Sequence, residues 1–442
     1  MFALRNSFNH FLYKVITLAF TTLFSGYSLF GGLGKELPVT PDDFEPILRF
    51  TVCSDIHLNS KMNGKNSKRY ASLFEQSYEY SKNHSTYNSL DAVMVCGDFT
   101  EEGLESEYKV FNKITEDNIK PETKLLVCMG NHEFIESRND ESIDPFANYY
   151  KYVSEETETH EIINGYHFIG ISYADNDENF NEKLDWLDTE LKEATANNKD
   201  RPVFVFQHPH PTLTVYGSVN WSDLGVRRVL SKYPQVVDFS GHSHYASVDP
   251  RTVWQGSFTA IGTGAVTGLM GNLNYISGDA YGQFDTGSYN IVEVDANGNI
   301  RMQIYDCENE KFFTDCEYYF KNPSVKKNRI YTWGNRRSFD TAPQFPENAE
   351  ITVTINEKNE TILSFPDAEG YYPAESYKVK VSRGWKNVFE QTILSDYVVA
   401  TERDMTVNIG IVDKEGTYKI KIKPSSPYAK QGKALKAEFT LQ

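Results

Sequence analysis

Three things are scarce in this sequence. Five cysteines in 442 residues are too few for a disulfide-built scaffold. Cys53, Cys96 and Cys128 each sit at or near the end of an apolar run, where a small buried hydrophobe fits. Cys307 and Cys316, nine residues apart in a hairpin-like stretch, are the pair placed to oxidise in an exported chain. Positive charge is also short. Against 61 Asp and Glu stand 44 Lys and Arg, a net −17 that repels phosphate backbones and argues against nucleic acid as a partner. Repeats and low-complexity segments are missing, and 40% hydrophobic with 14% aromatic residues is not the composition of a disordered chain. The glycine-rich run from Ile261 to Gly271 lacks the lysine and the strand–helix context of a phosphate-binding loop, so it reads as a flexible loop on a site rim.

What is present points to two domains, since the length exceeds one ordinary compact unit. In residues 1–34, Arg5 and Lys14 precede an uncharged run from Val15 to Gly34, which reads as a signal peptide or, at 15–34, a membrane anchor. The expected partition continues with a first domain over 35–330, a basic, proline-containing and solvated linker over 331–348, and a second domain over 349–442. The second domain alternates polar and apolar residues in short runs such as Tyr377–Val381 and Tyr418–Ile422. That predicts an all-β sandwich resembling the immunoglobulin or fibronectin type III class, with Tyr418 placed for a tyrosine corner and a surface partner as its default role.

The first domain repeats one design. A short apolar run ends in a tip of Asp, Asn or His: Phe50–Cys53 in Asp55-Ile-His57, Val93–Cys96 in Gly97-Asp98, and Leu125–Met129 in Gly130-Asn131-His132-Glu133. Further on, Val203–Phe206 ends in Gln207-His208-Pro-His210, and Val236–Phe239 in Gly241-His242-Ser-His244. Helical spacing over Tyr70–Asn83, Leu104–Asn118 and Glu182–Asn197 alternates with these runs, which predicts an α/β domain with a mostly parallel sheet. Ligands bind outside the carboxyl ends of such strands, so the five tips can meet although they are far apart in sequence. From Phe258 to Phe320 strands dominate, and a second sheet is expected to close the domain.

Counted as donors, Asp55, His57, Asp98, Asn131, His208, His242 and His244 offer oxygen and imidazole and require no thiolate, which suits Mn, Fe, Zn or Ni. Seven donors exceed what one metal takes; two metals about 3.5–4 Å apart need a shared ligand, and the central carboxylate, Asp98, fits that place. In the tip Gln207–His210 either imidazole can ligate, with His208 favoured because it is nearer the strand end. His84, His160 and His167 lie outside the tips and read as ordinary histidines; Tyr216, Trp221 and Tyr245 flank the donor loops and could stack on a nucleobase, with pocket wall or core the favoured reading.

In this order, the five tips resemble the motif blocks of the calcineurin-like metallophosphoesterase family, over roughly residues 48–320. The resemblance implies a four-layered α/β/β/α sandwich and a dinuclear metal site. One metal would be held by Asp55, His57, Asp98 and His244, the other by Asp98, Asn131, His208 and His242. His132 would face the leaving-group oxygen as a general acid, and Glu133, where many members carry Asp, would orient His132. His210 and Tyr245 are secondary candidates. The implied reaction is hydrolysis of a small phosphoester by metal-activated hydroxide. The wording of Ser54–Leu58 and Gly97–Gly103 is most similar to the branch containing cyclic-nucleotide phosphodiesterases, which points to diesters. The rivals are a phosphomonoesterase, a hydrolase of cell-wall or lipid-head-group diesters, and a surface binding protein with a scaffold metal domain.

Overall fold

The structure is a computed structural model that describes residues 35–441 apart from 176, 197–198, 273–280, 284 and 400–403. The expected export segment lies outside the described residues. Among the described residues no helix is long and apolar enough to cross a membrane. The chain divides into two compact units, one of Leu37–Met270 with Gln283–Tyr331 and the other built on Thr332–Gln442.

The first unit opens with β1 (Pro46–Cys53), α1 (Lys65–Lys82), β2 (Ala92–Cys96), α2 (Glu105–Asn118) and β3 (Lys124–Cys128). The three strands pair in parallel, β1 with β2 and β2 with β3. Then come β4 (Glu158–Ile163), β5 (Tyr166–Ile171), α3 (Asp177–Ala196), β6 (Val203–Gln207), α4 (Leu224–Leu230), β7 (Val236–Ser240), β8 (Val253–Gln255) and β9 (Thr259–Gly262). They form a second six-stranded sheet in the order β8-β9-β7-β6-β5-β4.

The expectation that the late strands close the domain as a second sheet is corrected in part. Only β9 of that group joins the second sheet. The remaining three, β10 (Ser288–Asp295), β11 (Ile300–Asp306) and β12 (Lys311–Phe320), complete the first in the order β12-β11-β10-β1-β2-β3. The reason is local: β2 occupies one side of β1, and β10 pairs antiparallel along the other, followed by two hairpin-linked neighbours.

Side-chain alternation sorts the apolar residues into layers. Phe50, Val52 and Met94 of the first sheet share one core with Phe168, Phe204 and Phe239 of the second. The Phe50 ring lies 5.1 Å from Phe168, 4.9 Å from Phe204 and 5.9 Å from Phe239, all edge-on. On the other face of the first sheet, Val93 and Val95 meet Leu73, Phe74, Phe111 and Ile114 of α1 and α2. On the far face of the second, Ile169 and Val205 meet Leu184, Leu187 and Leu191 of α3 and Val226 of α4. The result is the four-layered α/β/β/α sandwich.

The same alternation decides the Cys307–Cys316 pairing that the sequence left open. Cys307 packs with the helix-side cluster and Cys316 with the inter-sheet core, on opposite faces of the first sheet, and no disulfide joins them.

The second unit holds two antiparallel sheets. One contains Thr352–Ile355, Thr361–Phe365 and Met405–Asn408, the other Ser376–Arg383, Lys386–Leu394, Gly416–Ser425 and Leu435–Leu441. Leu363, Phe365 and Val407 from the first meet Val379, Val381 and Ile422 from the second in one core. Tyr418 is buried, and its hydroxyl donates to the Lys414 carbonyl at 2.6 Å, the bond of a tyrosine corner. The stretch read as a solvated linker instead carries a helix, Trp333–Phe339, capped by the Thr332 hydroxyl accepting from Asn335 N, and it buries Arg336.

One carboxyl in this unit makes stability depend on pH. Burial raises Asp367 to about 6, although the Tyr377 hydroxyl donates to it; Asp396 and Asp404 add to the rise. The folded state therefore holds this proton more tightly than the unfolded chain. The stability it contributes is complete below the ordinary pKa near 3.8 and is lost as pH rises through about 6. Asp367→Asn, whose side-chain oxygen still accepts from Tyr377, is expected to raise the melting temperature at pH 7 and to change it little at pH 4. Equal shifts at both pH values would disprove this account.

Candidate metal centre

Every donor sits where a strand ends. Asp55 and His57 follow β1, Asp98 follows β2, Asn131 and His132 follow β3, His208 follows β6, and His242 and His244 follow β7. The first three strands belong to one sheet and the last two to the other, so the donors meet across the seam of the sandwich rather than along one sheet. Five of the ten non-glycine residues with positive φ among the described residues are in this set: Asp55, His57, Asp98, His242 and His244, at 50–71°. Asp, with Asn and His, tolerates that region best, and backbone held there against its preference marks over-determined functional turns. Gly130 is obligatory for a different reason: a Cβ on it would lie 2.2 Å from Asp98 Oδ1.

The expected donors fall into two groups, and His57 also stands with Glu101 and His132 in a third. In the first, His244 Nε2 lies 3.1 Å from Asp55 Oδ1 and 3.1 Å from His57 Nε2. In the second, His208 Nε2 lies 3.0 Å from Asp98 Oδ2, and 3.1 Å from both Asn131 Oδ1 and His242 Nδ1. Asp98 stands with the second group, while the charge of His57 in the first still acts on it. His132 is beside both, its ring 4.4 Å from that of His57 and its Nε2 3.9 Å from Asp98 Oδ2.

The outer nitrogens show which way the imidazoles face. His208 Nδ1 meets the Cys96 carbonyl at 2.9 Å and His244 Nδ1 the Gly268 carbonyl at 3.0 Å, whereas His57 Nδ1 lies 3.3 Å from Glu101 Oε2 without a hydrogen bond. An imidazole whose outer N–H is donated to a carbonyl or carboxylate turns a lone pair inward, as metal-binding histidines do. The residues therefore fit a pair of borderline cations held by oxygen and nitrogen.

Electrostatics couple the donors into carboxylate–imidazole pairs. Burial opposes ionisation of Asp55, but His244 outweighs it and holds the carboxyl at about 2. Burial is likewise overcome at Asp98, where His208 holds the carboxyl well below the usual carboxylate range. Burial disfavours charge on His208, yet Asp98, with help from Asp55, pushes it up to about 9. His242 goes the other way, lowered to about 3 by burial and by the charge of His208.

The secondary candidates are placed differently from expectation. Glu133 does not orient His132. Its buried carboxylate accepts from Asp98 N at 3.1 Å, Thr100 N and Thr100 Oγ at 2.8 Å, and Gly130 N at 2.6 Å, so it fixes the turns that present Asp98 and Asn131. Burial, reinforced by Asp98, raises it to about 7. His132 is instead oriented by the Glu101 carbonyl, 2.6 Å from its Nδ1. His210 is buried between Ser240 Oγ at 2.9 Å and Ser243 Oγ at 2.7 Å, apart from both donor groups. Tyr245 is buried and stacks on Tyr216 at 4.2 Å.

Two contributors escaped the sequence reading. Glu101 carried a visible signal, an acidic residue three positions after Asp98 in the same loop. Gly268 carried none: the run 261–271, expected to be a flexible rim loop, is tied down by Val266 N donating to the Ser54 carbonyl and by its contact with His244.

Comparison with known proteins gives one family. Residues 48–246 match the model for calcineurin-like phosphoesterases. Among solved structures, a purple acid phosphatase from yellow lupin (Lupinus luteus) seeds is 11% identical with a TM-score of 0.42, covering 62% of this chain and 53% of its own. A 5'-nucleotidase precursor from Thermus thermophilus is 12% identical with a TM-score of 0.31, covering 64% and 56%. The chain thus spans little more than half the length of either structure. No curated protein matches.

Proposed function

We propose that this chain, which belongs to the calcineurin-like phosphoesterase family through residues 48–246, is a metal-dependent hydrolase of phosphodiesters carrying nucleosides or other organic groups. The observation behind this reading is the convergence of two donor groups, Asp55-His57-His244 and Asp98-His208-His242 with Asn131, beside one further imidazole, His132, which stands with His57 and Glu101. Bound there, a pair of Mn, Fe, Zn or Ni ions would supply Lewis acidity to a phosphoryl oxygen and to water, with Asp98 as their shared ligand. The chain's own residues do the rest. His132, held through Nδ1 by the Glu101 carbonyl, turns Nε2 toward the centre, where as the general acid it would protonate the departing oxygen, a step worth about 10²–10⁴-fold. Glu133 holds the Asp98 turn in register. Water is the nucleophile, and no serine or cysteine is called upon.

The similarity of Ser54–Leu58 and Gly97–Gly103 to the cyclic-nucleotide phosphodiesterase branch favours diesters over monoesters. The discriminating assay is hydrolysis of bis(4-nitrophenyl) phosphate against 4-nitrophenyl phosphate by the full chain, chelated and then resupplied with manganese. Chelator-sensitive preference for the diester is expected. Preference for the monoester would make this a phosphatase, and silence on both would favour a surface binding protein. We place the activity outside the cytoplasm, on the strength of the uncharged run behind Arg5 and Lys14, with the sandwich of the second unit as the surface for a partner. Cell fractionation that found the chain wholly in the cytoplasm would refute that placement.

A further inference from the structure

Three aromatic residues stand near the His242 side of the centre, and the structure separates their roles. Tyr216 and Tyr245 are 6% and 3% exposed and stack on each other, with Arg251 lying 3.7 Å over the Tyr216 ring. Trp221 is 37% exposed, and its ring centroid lies 5.1 Å from that of His242 at 89°. An edge-to-face contact occupies only part of an indole, and this side chain keeps more than a third of its surface exposed.

The indole is carried on an anchored loop. His210 N donates to the Trp221 carbonyl at 3.0 Å and Trp221 N to the Gly217 carbonyl at 3.1 Å, while His210–Pro211 pairs with Ser222–Asp223 across the loop base. Gly217 has φ +91, and a Cβ there would fall 2.6 Å from Ser243 Cβ, so the close approach of the loop to the His242–His244 turn needs glycine. A planar group held in place before binding loses little entropy when it stacks.

Contacts run from Trp221 to His132 through His242, His208 and Asp98. The indole meets the donor set at His242, and His132 meets it at His57 and Asp98, so the two side chains touch different donors. If the leaving oxygen lies at His132, Trp221 is left to the other substituent on phosphorus, which only a diester has.

We infer that Trp221 is a specificity residue that stacks on a planar aromatic group, a nucleobase or an aryl ring, in the arm of a phosphodiester that stays on phosphorus. This rests on the diesterase reading above. The test compares kcat/KM for bis(4-nitrophenyl) phosphate, methyl 4-nitrophenyl phosphate and thymidine 5'-(4-nitrophenyl phosphate). All three release 4-nitrophenol, and they differ in the arm retained. With the full manganese-loaded chain, Trp221→Ala is expected to lower the aryl-to-methyl ratio about fivefold to tenfold, and Trp221→Phe to keep most of it. A larger fall with the thymidine substrate identifies a nucleoside as the arm; a larger fall with the second nitrophenyl identifies a simple aryl group. An unchanged ratio in Trp221→Ala, including the case in which metal is lost and all substrates slow together, overturns the assignment and leaves Trp221 as packing for His242. If the wild-type chain cleaves no diester while hydrolysing 4-nitrophenyl phosphate, the diesterase reading itself is what has failed.

Discussion

Asp98→Ala is expected to lower turnover by about three orders of magnitude or more and to release metal from both donor groups. The carboxylate has two jobs: Oδ2 lies 3.0 Å from His208 Nε2, and Oδ1 accepts from His132 N at 2.8 Å. Its loss removes a ligand, the main charge that keeps His208 protonated when no metal is present, and the tether of the acid imidazole. Asp98→Asn separates these jobs, because the amide oxygen still accepts from His132 N while the charge is gone. Metal content measured after manganese loading, together with steady-state rates, is the check. Full occupancy with normal turnover in Asp98→Ala would end the shared-ligand assignment, and loss of a single equivalent would confine Asp98 to the second group, where the distances place it.

His132→Ala gives the opposite pattern. Metal content should be unchanged, because His57, His244, Asp55 and the second group keep their contacts without it. Turnover should fall about 10²–10⁴-fold for esters of poor leaving groups such as aliphatic alcohols, and much less for nitrophenyl esters, whose oxygen departs without a proton. A plot of log kcat against leaving-group pKa should therefore steepen in the variant. Parallel plots would show that His132 serves substrate binding and transfers no proton.

Much of this centre was legible because buried parallel strands print a simple signal. Val93–Cys96 and Val203–Phe206 are apolar on both faces, and Phe50–Cys53 is so but for Thr51, which makes the Asp or His that follows each run stand out as a functional residue. Other features could not be read this way. α1 begins at Lys65, five residues before its expected start at Tyr70, because its first turn is polar and shows no apolar spacing. Lys386–Leu394 is a largely exposed strand with charged and amide side chains on it, so alternation was too weak to announce it. The strands after Ser288 were visible as strands, but their sheet was decided by the free side of β1, a tertiary fact. The direction of the Glu133 carboxylate was hidden for a similar reason: its donors, the amides of Asp98, Thr100 and Gly130, come together only after folding. Trp221 was one of three aromatics by the donor loops that could stack on a base, and only its exposure and its distance from His242 set it apart from Tyr216 and Tyr245.

The left-handed turns under Asp55, His57, Asp98, His242 and His244 set folding and activity against each other. A side chain held in that conformation costs roughly 1–2 kcal/mol, so the five together offset a large part of the stability a domain of this size commands. Glycine at any of them would relax the backbone and remove a donor in the same stroke. Selection for a more heat-resistant chain without selection for turnover would thus erode these turns first, while a cation that binds the native donors counteracts their strain through mass action. The centre is the weak point of the empty protein and a clamp in the loaded one, and the melting temperature of the first unit should report how fully the ion occupies it.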